Sequence, residues 1–310
     1  MKPDWKYFLS EERLGFWVRL PRSYGSRELS KKWDDQNTVF EFPSVVSSEH
    51  AGEDHCQTQL EYQNLVNQAI ETIQKGECEK LVTSRIFPIA ELKDDGELLV
   101  QQWLTLFPDA FIFVIHHPDF GVWIGASPEL LIYRNNFILH SVALAGSKSI
   151  SDATPWGEKE QYEHEVVIKM IKETFEQQGV KEISTDATTE LNFRKVKHLS
   201  TPINGVYSGD FGALVQALYP TPALSGWPKE KAIHWLNLFE PFHRGLYGGV
   251  LNFSDGAEQW SMVILRCCHK TAGGWMGHVG GGVMQDSSPE LEWQETEWKR
   301  QAFIFANDAH

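Results

Sequence analysis

Near the C-terminal end of the chain, Glu292, Glu295 and Lys299 recur at i, i+3 and i+7, a spacing that puts all three on one face of a helix. Two carboxylates one turn apart repel each other unless a cation lies between them. A hard oxygen pair of this kind suits Mg²⁺, which keeps several waters and shares substrate oxygens. The same spacing also describes a solvated acidic face on which Glu295 and Lys299 form an ordinary i,i+4 pair. Glu160, Glu163 and Glu165 cluster at the start of a second helical pattern, where the macrodipole favours negative charge with or without a function. Glu129 stands alone in Trp123-Ile124-Gly125-Ala126-Ser127-Pro128-Glu129-Leu130, as either a turn residue or a carboxyl lifted out of solvent. Lys80 heads an apolar pattern of Leu81, Val82 and Ile86 and reads as an edge charge or as a buried amine. The run Val279-Gly280-Gly281-Gly282-Val283 leaves backbone N–H groups open to close approach by an anion. It is neither a dinucleotide fingerprint nor a Walker loop, and HExxH, GxSxG and zinc-type Cys/His spacings are absent.

These side chains need elements to hold them. Tyr62, Leu65, Val66, Ala69, Ile70 and Ile73 predict an amphipathic helix over 59–75, stopped by Gly76. A strand follows over 80–89, then a helix over 97–106. Apolar segments of strand length cover 110–116, 121–126, 130–134 and 136–144, with Asn135-Asn136 suited to a hairpin turn. Val166, Val167, Met170, Ile171 and Phe175 mark one face of a helix over 159–178 that ends at Gly179. Helices are expected at 212–218 and 229–237, and strands at 245–253, 260–269 and 275–284. The last helix, 289–303, has Ser288 placed to cap it and Pro289 at its first position, where a missing N–H is harmless. In the N-terminal part, 14–20 and 38–42 read as short strands, and the polar stretch 44–54 reads as a linker or loop. Strands joined directly and mixed irregularly with helices favour α+β over a doubly wound parallel sheet.

The 310-residue chain has a formal net charge of −14, which argues against general binding to nucleic acid or a membrane surface, since both are polyanions. A small anionic substrate stays compatible if Lys, Arg, N–H groups or a cation gather locally. The cysteines, Cys56, Cys78, Cys267 and Cys268, show no CxxC spacing, and the adjacent pair would close only a strained disulfide. A reduced, cytoplasmic setting is the expectation. Met1-Lys2-Pro3-Asp4-Trp5 lacks the order of a signal peptide, and no apolar run is long enough to span a membrane.

Several segments, taken in order, resemble the chorismate-utilising (chorismate-binding) enzymes over roughly residues 58–303. They are Glu79-Lys80-Leu81-Val82-Thr83-Ser84-Arg85, Gly125-Ala126-Ser127-Pro128-Glu129-Leu130, Leu144-Ala145-Gly146-Ser147 and Glu158-Lys159-Glu160-Gln161-Tyr162-Glu163-His164. Lys197-His198-Leu199-Ser200-Thr201, Tyr219-Pro220-Thr221-Pro222-Ala223-Leu224-Ser225-Gly226 and Phe239-Glu240-Pro241-Phe242-His243-Arg244-Gly245-Leu246-Tyr247-Gly248-Gly249 follow. Ile264-Leu265-Arg266-Cys267, the triple glycine and the Ser288–Lys299 stretch complete the series. The resemblance implies the α+β fold of anthranilate synthase component I, in which layered antiparallel sheets are wrapped by helices around a cleft. It implies a short N-terminal segment, 1–57, that contributes to the same fold, and a catalytic domain over 58–310.

It also implies roles. Glu163, Glu292 and Glu295 would hold Mg²⁺ against the ring carboxylate of chorismate. Arg266 would grip the pyruvyl carboxylate with support from Tyr247, Gly280 and Gly282, and Gly146, His198 and Lys299 would line the rest of the anion site. Lys80 would take a proton from water attacking ring C2 while Glu129 protonates the departing C4 hydroxyl. A lysine at position 80 resembles the water-using members, so no glutamine amidotransferase subunit is expected, and the pattern stands closest to the isochorismate synthases of menaquinone or siderophore pathways. Salicylate synthase chemistry, or an inactive member acting as a binding protein, is the alternative.

Overall fold

The computed structural model describes residues 6–9, 14–33, 38–40, 56–90, 92 and 96–304; the 44–54 segment and the end of the 38–42 strand lie outside them. In chain order the elements are α1 (Lys6–Leu9), β1 (Gly15–Arg19), β2 (Glu28–Lys31), β3 (Thr38–Phe40), α2 (Gln59–Gln74), β4 (Lys80–Pro88) and α3 (Glu97–Leu106). Next come β5 (Phe111–His117), β6 (Gly121–Ser127), β7 (Leu130–Asn135), β8 (Ile138–Ser149), α4 (Glu158–Gln177), β9 (Lys181–Thr185), β10 (Thr189–Phe193) and β11 (Val196–Val206). The chain continues through α5 (Phe211–Leu218), β12 (Gly226–Trp227), α6 (Lys229–Phe239), β13 (Val250–Asp255), β14 (Glu258–Val263), β15 (Cys267–Thr271), β16 (Gly274–Val283) and α7 (Pro289–Arg300).

The strands form two eight-stranded sheets. One runs β12-β4-β16-β15-β6-β5-β1-β2; the other runs β10-β11-β8-β7-β14-β13-β3, with β9 also on β11. Every strand pairing among these is antiparallel, so the α+β expectation holds. Alternation in β5 shows why the sheets stack. Phe111, Phe113 and Ile115 point into a layer shared with Phe253, Trp260 and Met262 of the other sheet, while Ile112 and Val114 pack with Trp103 and Phe303 on the far side. A third core joins α2, α4, α5 and α6 to the second sheet. Helix α2 is capped at Thr58 by a reciprocal capping box with Glu61 and ends before Gly76 at φ +75°. No helix among the described residues is long and apolar enough to cross a membrane.

Three sequence expectations shift. The segment 260–269 is two strands, because the chain leaves the second sheet at Val263 and enters the first at Cys267, turning at Arg266 with φ +46°. Cys267 then faces the inter-sheet core and Cys268 the opposite one. The segment 245–253 becomes a strand only at Val250. The three strands over 181–206 carry many polar residues on a solvated face, so hydrophobic periodicity gives no sign of them.

Candidate active site

The floor of the site is the β4–β16 ladder, where Gly280, Gly281 and Gly282 oppose Ser84, Thr83 and Val82. β15 pairs with β16 only as far as Gly277, so beyond it the glycines have one open edge. Lys299 Nζ donates to the Gly280 carbonyl at 2.6 Å on that edge, and the Gly280 N–H points the same way. The run is therefore a strand with one free side, not a loop. Its lack of Cβ atoms also makes room for charged side chains. A Cβ at Gly282 would lie 2.3 Å from Glu163 Oε1, and one at Gly280 would lie 2.8 Å from the Tyr247 hydroxyl. At Gly281 it would meet Glu295 Oε1 at 3.2 Å and Glu292 Oε2 at 3.4 Å.

Three glutamates meet three lysines over this floor. Lys80 is fully buried, not an edge charge, and its Nζ stands 2.9 Å from Glu163 Oε1 as a charge pair rather than an aligned hydrogen bond. Glu295 pairs with Lys299 at 2.6 Å. Glu292 Oε1 accepts from Lys159 Nζ at 2.5 Å and from Ser287 Oγ at 2.6 Å. Burial raises the Glu292 carboxyl above the ordinary range against the pull of Lys159. At Glu163 burial pushes the same way, but Lys80 and Lys159 outweigh it and the carboxyl is lowered.

Among the described residues no group of three or more His, Cys, Asp or Glu forms a ready metal cage. Mg²⁺ does not ask for one, since it usually takes one or two carboxylates and completes its shell with water and substrate oxygens. Glu292 Oε2 is buried with no hydrogen-bond partner and shares the Gly281 position with Glu295 Oε1. Hard oxygens converging there, one of them unpartnered, fit a divalent cation.

The opposite wall collects the groups suited to an anion. Glu129 and Arg266 both sit where the chain crosses between sheets, from β6 to β7 and from β14 to β15. Burial raises the Glu129 carboxyl to about 7, although Lys80, Arg266 and Lys299 pull it down. Burial lowers the Arg266 guanidinium to about 10, so it keeps its charge at neutral pH. Its Nη2 meets His198 Nε2 at 2.9 Å, while its Nη1 is buried without a partner. Because guanidinium only donates, His198 Nε2 accepts, and Nδ1 carries the proton that faces the Gly146 carbonyl at 3.2 Å. Burial, with Arg266 and Lys299 nearby, holds this imidazole well below the usual histidine range. A β-bulge sets up the pair: the β8–β11 register slips between His198 and Leu199, leaving Gly146 as the extra residue at φ +72°. Glu129, Gly146, Glu163, His198 and Tyr247 line one cleft together with Arg266, Gly280, Gly282, Glu295 and Lys299. Lys80 joins it through Glu163, and Glu292 lies behind Gly281.

Sequence reasoning passed over several residues that shape this cleft. Arg244, in its wall, bonds Glu240 twice at 2.7 Å and also holds the Val82 and Leu224 carbonyls. Glu240 in turn accepts from the backbone N–H and hydroxyl of Ser84 at 2.8 Å. Their i,i+4 spacing in a segment without helix periodicity was the available signal. Arg85 of β4 reaches Thr296 at 2.9 Å, pairs with Glu297 and stacks on Trp293, fastening α7. Ser288 occupies the cap position of α7, but its hydroxyl goes to the Glu290 carboxylate at 2.9 Å, not to a backbone N–H.

Comparison with known proteins bears on the family and the fold. The family model described as chorismate binding enzyme matches residues 23–306. Isochorismate synthase EntC from Escherichia coli (strain K12) is 30% identical over 254 residues, covering 77% of this chain and 64% of that protein. The chain thus spans just under two thirds of that relative's length. The structure of DhbC from Bacillus anthracis superposes with a TM-score of 0.73 at 25% identity, over 93% of this chain and 82% of that one. MenF, the menaquinone-specific isochorismate synthase from Escherichia coli, shares the fold with a TM-score of 0.71 at 23% identity, over 89% and 65%.

Proposed function

This chain belongs to the chorismate-binding enzymes, and from that premise we propose that it is an isochorismate synthase, which moves the hydroxyl of chorismate from ring C4 to C2 with the help of Mg²⁺. The observation that carries the reading is the nearness of Lys80, buried beside Glu163, to Glu129, whose carboxyl is raised by burial to about 7 against the pull of that lysine. A carboxyl so raised keeps its proton near neutrality and can donate it to a departing hydroxyl. Lys80 is the group placed to take a proton from the attacking water as the new C2–O bond forms. Both conjugated ring double bonds shift by one position, the C4–O bond breaks, and Glu129 releases the C4 oxygen as water. One water enters and one leaves, so the reaction is an isomerisation.

Arg266 supports the reading from the anion side, because its unpartnered Nη1 leaves a donor for a carboxylate, and the open edge at Gly280 adds an N–H. Glu163, Glu292 and Glu295 would hold the metal. Bound Mg²⁺ would neutralise and fix the ring carboxylate between base and acid. Lys80 comes from β4 and Glu129 from the crossing between β6 and β7, so the fold contributes by holding base and acid in a fixed orientation to the ring.

Incubation with chorismate and Mg²⁺, resolved by chromatography after a short time, tests the reading. A mixture of chorismate and isochorismate that disappears with EDTA and in Lys80→Ala is the expected result; salicylate plus pyruvate as main products, or no turnover, contradicts it. Gly282→Ala offers a finer check. Its Cβ would collide with Glu163 Oε1 at 2.3 Å and crowd the Lys80 stem at 3.1 Å, so turnover falls by about 100-fold while the circular dichroism spectrum is kept. Normal turnover in that variant would mean that the Lys80–Glu163 placement does not matter to the reaction.

A further inference from the structure

Glu292 is held by one oxygen only. Its Oε1 accepts two short bonds, from Lys159 Nζ at 2.5 Å and from Ser287 Oγ at 2.6 Å, whereas Oε2 is buried and accepts none. The carboxylate as a whole is 1% exposed, so no bulk water reaches the free oxygen. That oxygen lies against Gly281 beside Glu295 Oε1.

The two donors are themselves committed. Ser287 Oγ accepts the Met284 N–H at 3.0 Å, in the turn between β16 and α7, so its single proton is left for Glu292. Lys159 sits in the first turn of α4, one turn before Glu163, and reaches across 133 positions of sequence to α7. A carboxylate whose torsion is fixed from two directions cannot swing its second oxygen away.

We propose that Lys159 and Ser287 are positioning residues for the divalent cation, gripping Oε1 of Glu292 so that Oε2 is presented to the metal next to Glu295; this rests on the cation reading of the site. The lysine's charge works against a cation, and its hydrogen bond works for one. The two contributions have opposite signs in an affinity measurement, which makes the assignment testable. Outer partners of metal-binding carboxylates are commonly worth 10- to 100-fold in affinity, and the orientation effect is taken to win because Oε1, not Oε2, carries the ammonium.

The probe is Mn²⁺, titrated into the full chain and followed by the electron paramagnetic resonance of the free ion, with melting temperature recorded for each variant. Ser287→Ala and Lys159→Met each bind Mn²⁺ roughly 10- to 100-fold more weakly when titrated well below the melting temperature of each variant. Ser287→Thr and Lys159→Arg, which keep a donor, recover most of the affinity. Lys159→Met binding as tightly as the unaltered chain, or more tightly, overturns the proposal by making Lys159 a competitor only. Unchanged affinity in Ser287→Ala overturns its part. Failure of the cation reading looks different: the unaltered chain binds no Mn²⁺, or Glu292→Gln and Glu295→Gln bind it undiminished, and the proposal falls with it.

Discussion

Glutamine at position 129 lowers turnover of chorismate by about 10²- to 10⁴-fold, the usual worth of a positioned proton donor, and leaves the protein folded. Glutamine keeps the size and polarity of the side chain but has no proton of suitable acidity to give. The accompanying change in stability has a definite sign. Glu129 is raised from 4.5 to about 7, mainly by burial. The folded state thus holds a proton that the unfolded chain gives up between these two values. Its contribution is fully present below the ordinary carboxyl range and is lost as pH rises through about 7, on the order of 3 kcal/mol if the whole shift is realised. Between pH 6 and pH 8 the unaltered chain therefore loses melting temperature relative to Glu129→Gln. Turnover per active site should fall over the same interval as the acid loses its proton. An active Glu129→Gln enzyme would end the assignment of the acid, and parallel melting curves at both pH values would show that the carboxyl is not raised.

Arg244→Met destabilises the fold by about 3–5 kcal/mol, the range found when one member of a buried ion pair is removed. Both side chains of the Glu240–Arg244 pair are at most 5% exposed. Removal of the guanidinium strands the Glu240 charge and frees the Val82 and Leu224 carbonyls from their donor. Glu240→Gln is milder, because the amide oxygen can still accept from Ser84. In a double-mutant cycle read by urea unfolding, the two changes couple strongly. Loss of less than about 1 kcal/mol in Arg244→Met, the level of an exposed pair, would show that the pair is hydrated in solution. Since Ser84 lies on the strand that begins with Lys80, activity should fall together with stability here, unlike at Glu129.

The contrast between these sites follows what a sequence can and cannot display. Helices such as α2 and α4 were legible because burial of one face writes a period into the residue order, and the left-handed glycines after them mark their ends. The polar strands 181–206 write no such period. Glu163, Glu292 and Glu295 were open to a surface reading by spacing alone, and the resemblance to a family pointed inward; the structure supplies the lysine that meets each of them. The Glu240–Arg244 pair and the grip of Ser287 on Glu292 stayed hidden although their members lie four and five residues apart, since their roles depend on burial against distant strands and on the direction of one oxygen. The strand expected over 275–284 holds, and its ladder with β4 adds what the glycine run alone does not display, that the missing Cβ atoms admit carboxylates.

Glu129 and Arg266 stand at two of the crossings where the chain passes from one sheet to the other, β6 to β7 and β14 to β15. Neither lies inside a named strand, so exchanging these side chains unzips no ladder. The scaffold and the side chains at these crossings are therefore separable in inheritance: variants at the crossings can change the chemistry of the cleft while the ladders of both sheets stay as they are.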